Sequence, residues 1–158
     1  MTPARRLAIV AWALCTAGAA PACELILAEH RSGHELLRVP MPGGIPEAEI
    51  VFTHSVLGTL VADRYAWRLD GGAWRAHLVE ERFEGEGYGL AHAAGSGETL
   101  VRAGGGWRLV LDRVVDPLVV LPLPAQQMRL FLGDGTTVLL GMLSQRSIGF
   151  RVDGCPAR

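Results

Sequence analysis

The sequence predicts an all-β domain: a single small barrel or sandwich of about 9–10 short antiparallel strands after a cleaved signal peptide. Three observations carry this expectation. Twenty glycines and nine prolines in 158 residues break the chain too often for long helices. The apolar runs between the breaks are short or alternate with period two, as half-buried strands do. Residues 1–22 read as an address label rather than as part of the fold.

Arg5 and Arg6 make a short basic start, and the uncharged apolar stretch 7–20 that follows is too short to span a bilayer. Ala20-Pro21-Ala22 then offers small residues at the third and first positions before a cut. A cut after Ala20 would put Pro21 first, which a signal peptidase resists, so cleavage is expected between Ala22 and Cys23. An uncleaved N-terminal anchor is the alternative. Either way the body, 23–158, is expected outside the cytoplasm, in the periplasm, as one domain. Removing 1–22 takes away two arginines and no acid, so the body is more acidic than the whole chain's net −1.

Cys15 leaves with the signal, and Cys23 and Cys155 remain. An even pair in an oxidising compartment is first read as a disulfide. A lipid on Cys23 competes, although Ala20 stands where the lipidation signal prefers leucine. Two free thiols are the third reading. The rest of the composition excludes more than it implies. With 49% hydrophobic and 20% charged residues, global disorder is not expected. Fifteen basic residues, all arginine, against 16 acidic ones leave no electrostatic footprint for nucleic acid.

The strand-like runs are 24–28, 35–41, 49–57, 60–69, 74–83, 99–102, 107–115, 118–121, 128–132, 137–143 and 148–152. Asp70-Gly71-Gly72 and Gly133-Asp134-Gly135 are hairpin-turn signals. The stretch 73–84 is ambiguous, because Trp74/Leu78 and Val79/Phe83 sit at helical spacing. It also alternates, and the preceding turn leads in from another strand, so strand is preferred. Pro117, Pro122 and Pro124 put the 118–123 stretch at a sheet edge or in a crossing loop, since proline cannot donate to a ladder.

The most informative local feature is Phe52-Thr53-His54-Ser55-Val56-Leu57-Gly58-Thr59-Leu60-Val61-Ala62-Asp63. If Gly58-Thr59 is a two-residue hairpin loop, Leu57 pairs with Leu60 and His54 faces Asp63 across the ladder. Phe52, Val56, Val61 and Tyr65 would share their face. Such a pair is either a satisfied structural hydrogen bond, the more common case, or part of a site. A Ser55-His54-Asp63 hydrolase triad does not fit, because neighbouring strand residues point to opposite faces. No G-x-S-x-G elbow is present. His30 and His34 flank a Ser32-Gly33 turn and read as a solvated hairpin tip. No C-x-x-C or H-E-x-x-H occurs, so no metal and no cofactor is expected.

A second feature is the loop 84–98, with five glycines between positions 85 and 97. Glycine permits backbone conformations closed to other residues and close approach of a partner. The spacing matches neither phosphate-binding pattern, and Glu84 and Glu86 would repel phosphate. A loop of this length is either functional or mobile.

His54-Ser55-Val56, the acidic Asp63 nine residues after His54, and Phe83-x-Gly85-x-Gly87-Tyr88-Gly89-Leu90 together resemble the bacterial family DUF1850. In this family Glu is usual where Asp63 stands, and proline is common where Ala91 stands. The resemblance spans about 23–152. It implies a small exported protein encoded beside the fused membrane subunit of TAXI-type TRAP transporters, and it brings no chemistry with it. The expectation is a non-catalytic periplasmic accessory or binding module that contacts the permease or its solute-binding protein. Contact with the membrane would be through that partner or a lipid on Cys23. His54, Ser55, Asp63, Gly85, Gly87, Tyr88 and Gly89 are the candidate binding residues. The alternatives are a small envelope hydrolase or isomerase using His54 and Asp63 as base and orienter, and a purely structural envelope domain.

Overall fold

The computed structural model describes residues 23–157; the signal peptide expected over 1–22 lies outside them. Among the described residues eleven strands form: β1 (Glu24–Glu29), β2 (Glu35–Pro40), β3 (Glu47–Thr53), β4 (Leu60–Asp70), β5 (Ala73–Phe83), β6 (Thr99–Ala103), β7 (Gly106–Val114), β8 (Leu118–Val120), β9 (Arg129–Phe131), β10 (Thr137–Leu139) and β11 (Ile148–Asp153). Each overlaps one of the expected runs, with ends differing by at most one residue except at β3, which begins at Glu47 and stops at Thr53, short of the expected 57, and at β10, which stops at Leu139. The count exceeds the expected nine or ten because β8, β9 and β10 persist as separate three-residue strands. The second half of the 137–143 run turns instead into the short helix α1 (Leu140–Leu143).

The strands make two antiparallel sheets, ordered β2-β1-β11-β8 and β10-β9-β3-β4-β5-β7-β6. They pack as a sandwich around one core. Leu25, Leu27, Ile148, Phe150 and Val152 come from the smaller sheet, and Ile50, Val61, Trp67, Leu78, Phe83, Leu109 and Leu130 from the larger. Alternation produces this directly, since residues two apart along a strand share a face. The ambiguous stretch is strand: β4 and β5 form the long central hairpin, turning at Gly71-Gly72 with Asp70 opposite Ala73. The proline-flanked β8 sits at the edge of the smaller sheet.

Cys23 and Cys155 form a disulfide. It ties the start of β1 to the segment just after β11, which are already neighbours through the β1–β11 ladder. The Cys23 sulfur is therefore engaged and carries no thioether lipid in this form.

The register of β5 decides what faces the core. From Asp70↔Ala73 to Tyr65↔Leu78 the hairpin is regular, but Arg64 then pairs with Glu80, leaving Val79 as a bulge. One extra residue exchanges the faces of everything beyond it. Glu80 turns outward and Glu81 turns inward, opposite Asp63. On the outer face Glu80 accepts hydrogen bonds from Nε and Nη2 of Arg108 at 2.8 and 2.6 Å. Arg64 lies 3.4 Å and Arg82 3.6 Å from its carboxylate. Burial alone would raise the Glu80 carboxyl. Arg108, Arg64 and Arg82 outweigh it, and the net shift is downward.

Candidate functional site

The expected two-residue loop at Gly58-Thr59 does not form. Thr53 pairs with Leu60, and Ile50, not His54, stands opposite Asp63. The hairpin loop is the six residues from His54 to Thr59, closed by the His54 N–H donating to the Thr59 carbonyl at 2.8 Å. Inside it the Gly58 N–H donates to the His54 carbonyl at 2.9 Å, a single helical turn. His54 caps that turn with its side chain: Nδ1 accepts from the backbone N–H groups of Val56 (3.2 Å) and Leu57 (3.3 Å). The cap competes with the tight turn for the same backbone donors, which is why the ladder stops at Thr53. The His54–Asp63 base-and-orienter pair is thus not assembled.

His54 makes a different link. With Nδ1 accepting, the ring proton sits on Nε2, which donates to the carbonyl of Tyr88 at 3.3 Å. The Thr59 hydroxyl donates to the carbonyl of Glu84 at 2.9 Å. A Cβ on Gly85 would stand 3.0 Å from Leu57 Cδ1, and Gly85 has φ +93°, so glycine permits both the conformation and the approach. The two segments that carry the family resemblance therefore meet at one end of the larger sheet. His54, Gly85 and Tyr88 are brought together, and Ser55 is exposed on the turn.

Tyr88 is the unusual member. It lies between Gly87 and Gly89 and itself adopts φ 54°, in the left-handed region. That conformation costs an ordinary residue roughly 1 kcal/mol. The side chain gains little burial in return, being 71% exposed, and Val56 and Leu60 on the neighbouring hairpin are 62% and 60% exposed. Val56 on the turn and Tyr88 on the loop are thus exposed apolar side chains on segments joined by two cross-loop hydrogen bonds, while Leu60 opens β4 on the outer sheet face beside Val51 and Ala62.

Asp63 is not at the tip. It lies on the core-facing side of β4 in a row running Ile50, Asp63, Glu81, Leu109 across β3, β4, β5 and β7. Ile50 and Leu109 are fully buried. Oδ2 of Asp63 accepts a long hydrogen bond from the Tyr65 hydroxyl at 3.4 Å. Oδ1 is buried with no hydrogen-bond partner among the described residues. Burial, helped by the charge of Glu81, pushes the Asp63 carboxyl up to about 7. Glu81 is raised as well, first by burial. The neighbouring Arg113 donates to Glu98 at 2.7 Å.

The loop 84–98 closes over this end of the core. Leu90 and Ala91 pack against the core. Beneath the loop lies a groove of about 620 Å³ between Leu90 and His92 on one side and Glu81, Glu98, Leu109 and Arg113 on the other. Sequence reasoning found the loop and Asp63 but missed Glu81, whose inward turn depends on the bulge at Val79. Among the described residues no cluster of three or more His, Cys, Asp or Glu side chains could hold a metal ion.

The family model described as "Domain of unknown function (DUF1850)" matches residues 48–139. The chain belongs to this family. No curated protein and no solved structure matches it. The DUF1850 match starts on β3 and ends on β10, so it takes in the tip, the acid pair and the loop. It is narrower than the span of about 23–152 expected from the resemblance. The disulfide and strands β1, β2 and β11 lie beyond it.

Proposed function

We propose that this DUF1850 protein is a non-catalytic accessory module, exported to the periplasm, that docks on a TAXI-type TRAP transporter. The partner is the permease or its solute-binding protein, and the docking surface is the tip that carries Val56 and Tyr88. The observation that carries this reading is Tyr88, an exposed aromatic held at φ 54°. Backbone strain spent on a side chain that packs against little within its own chain is the pattern of a contact made elsewhere. Exposed aromatics on rigid backbone are frequent anchors of interfaces. The disulfide supports an oxidising compartment, and the transporter connection comes from the resemblance.

Co-purification from membranes containing the permease and the solute-binding protein tests it. The wild-type domain should be retained, and a Tyr88→Ala/Val56→Ser double variant should be lost from the complex. No retention of the wild type overturns the transporter reading. Equal retention of wild type and folded double variant overturns the tip as the docking surface.

A further inference from the structure

Two carboxyls directly opposite each other on an inward sheet face are an unfavourable arrangement. Residues facing across an antiparallel ladder have Cβ atoms about 4.5–5.5 Å apart, and like charges there repel. Asp63 and Glu81 occupy such positions between the buried side chains of Ile50 and Leu109. The titratable and charged groups around them do not neutralise two charges. On β4 the neighbour is the Tyr65 hydroxyl, and from β3 the nearest charge is Glu49, also negative. The cation that acts on Glu81 is Arg113 on β7, which stands opposite Leu78 rather than Glu81, and its guanidinium already binds Glu98. His92 on the loop lines the same groove.

We propose that Asp63 and Glu81 hold one proton between them, and that its loss loosens the 84–98 loop, so that the tip is a proton-gated docking element. The loop motion stands on its own, while the gating of docking rests on the function proposed above. The physical route is short. A second negative charge on the pair needs water, because its one cationic neighbour is committed. The way in is the groove over Glu81, and its cover is Leu90 and Ala91. Lifting them disturbs the segment that ends at the His54–Tyr88 hydrogen bond.

Titration of isotope-labelled protein, purified as the cell processes it, tests this by NMR from about pH 5 to about pH 9. The Asp63 carboxyl carbon should move with a midpoint near 7, and the Leu90 and Ala91 amides should move with the same midpoint. Asp63→Asn should abolish the loop response. Glu81→Gln, an independent arm should that variant misfold, should lower the Asp63 midpoint by about one unit by removing the like charge. Loop amides that stay flat while Asp63 titrates overturn the gating, as does an unchanged loop profile in Asp63→Asn. An unchanged midpoint in Glu81→Gln overturns the shared proton. These measurements use the free protein, so their failure leaves the Tyr88-dependent capture standing, and failure of capture leaves them intact.

Discussion

His54 donates from Nε2 to the carbonyl of Tyr88, 34 positions further along the chain, across 3.3 Å. The same ring accepts two N–H groups from its own turn at Nδ1, so one side chain fixes both a hairpin end and a loop. A family motif with histidine in it invites a catalytic reading. The geometry assigns this histidine to positioning.

That assignment separates two substitutions. His54→Ala removes the cap and the tether and should cost about 1–2 kcal/mol, with faster hydrogen exchange at Tyr88, Gly89 and Leu90. His54→Asn keeps a short acceptor for the turn but does not reach Tyr88. It should recover most of the stability in urea denaturation while the loop amides still exchange fast. Equal stability of the two variants would contradict the cap.

The pH dependence of stability should carry the sign of Asp63. Its folded-state carboxyl is raised from 3.8 to about 7, so between those values the folded state binds the proton and the unfolded state does not. Stability from this group is present below about pH 4 and is lost as pH rises through 7. Glu98 and Asp112, lowered first by hydrogen bonds from Gly95 and His77 respectively, act oppositely and lose their contribution in acid. Asp63→Asn should therefore match the wild type only near pH 4 and exceed it at pH 8 by up to about 4 kcal/mol. Denaturant midpoints at the two pH values check it; a wild type unchanged between them sinks the prediction.

How far the sequence could be read shows in two turns. Gly58 was legible as a turn glycine, and it does have φ 69°, but it closes a helical turn capped by His54 rather than a two-residue loop. The resulting register differs by an even number of residues, so the expected face survived: Phe52, Val61, Asp63 and Tyr65 remain together. The bulge at Val79 was not legible, because β5 alternates equally well on either side of it. That single residue decides which of Glu80 and Glu81 enters the core. Strand existence follows from local pattern, whereas the site depends on register, which is set by competition for backbone hydrogen bonds.

Glu80 offers a control for that argument. It is 7% exposed and hydrogen-bonded to Arg108, on the sheet face away from the acid pair. Glu80→Gln should cost about 1–2 kcal/mol, less than a fully buried pair because its arginines are half exposed. Thermal melting should register the loss, while the pH response of the loop and capture by the partner stay unchanged. Loss of either would tie the outer face to the tip and count against the separation of the two faces.

The disulfide should be worth about 4–5 kcal/mol in the chain-entropy model, since it closes nearly the whole described chain. Melting with and without reductant measures this. Intact mass in the same samples should show a chain beginning at Cys23 that gains two hydrogens on reduction. An added lipid mass on Cys23 would replace the disulfide.

Tyr88 gives the sharpest comparison, because strain and function predict opposite signs. In ordinary backbone glycine is less stable than alanine, through its greater unfolded-state freedom. At φ 54° the order should reverse. Tyr88→Gly releases the left-handed strain, Tyr88→Ala retains it, and the glycine variant should be the more stable of the two by about 1 kcal/mol. Both remove the aromatic ring, so both should lose capture by the transporter partner. A glycine variant less stable than the alanine variant would mean that the tyrosine conformation carries no strain to release. The exposed ring would then have to be explained without a cost to the fold.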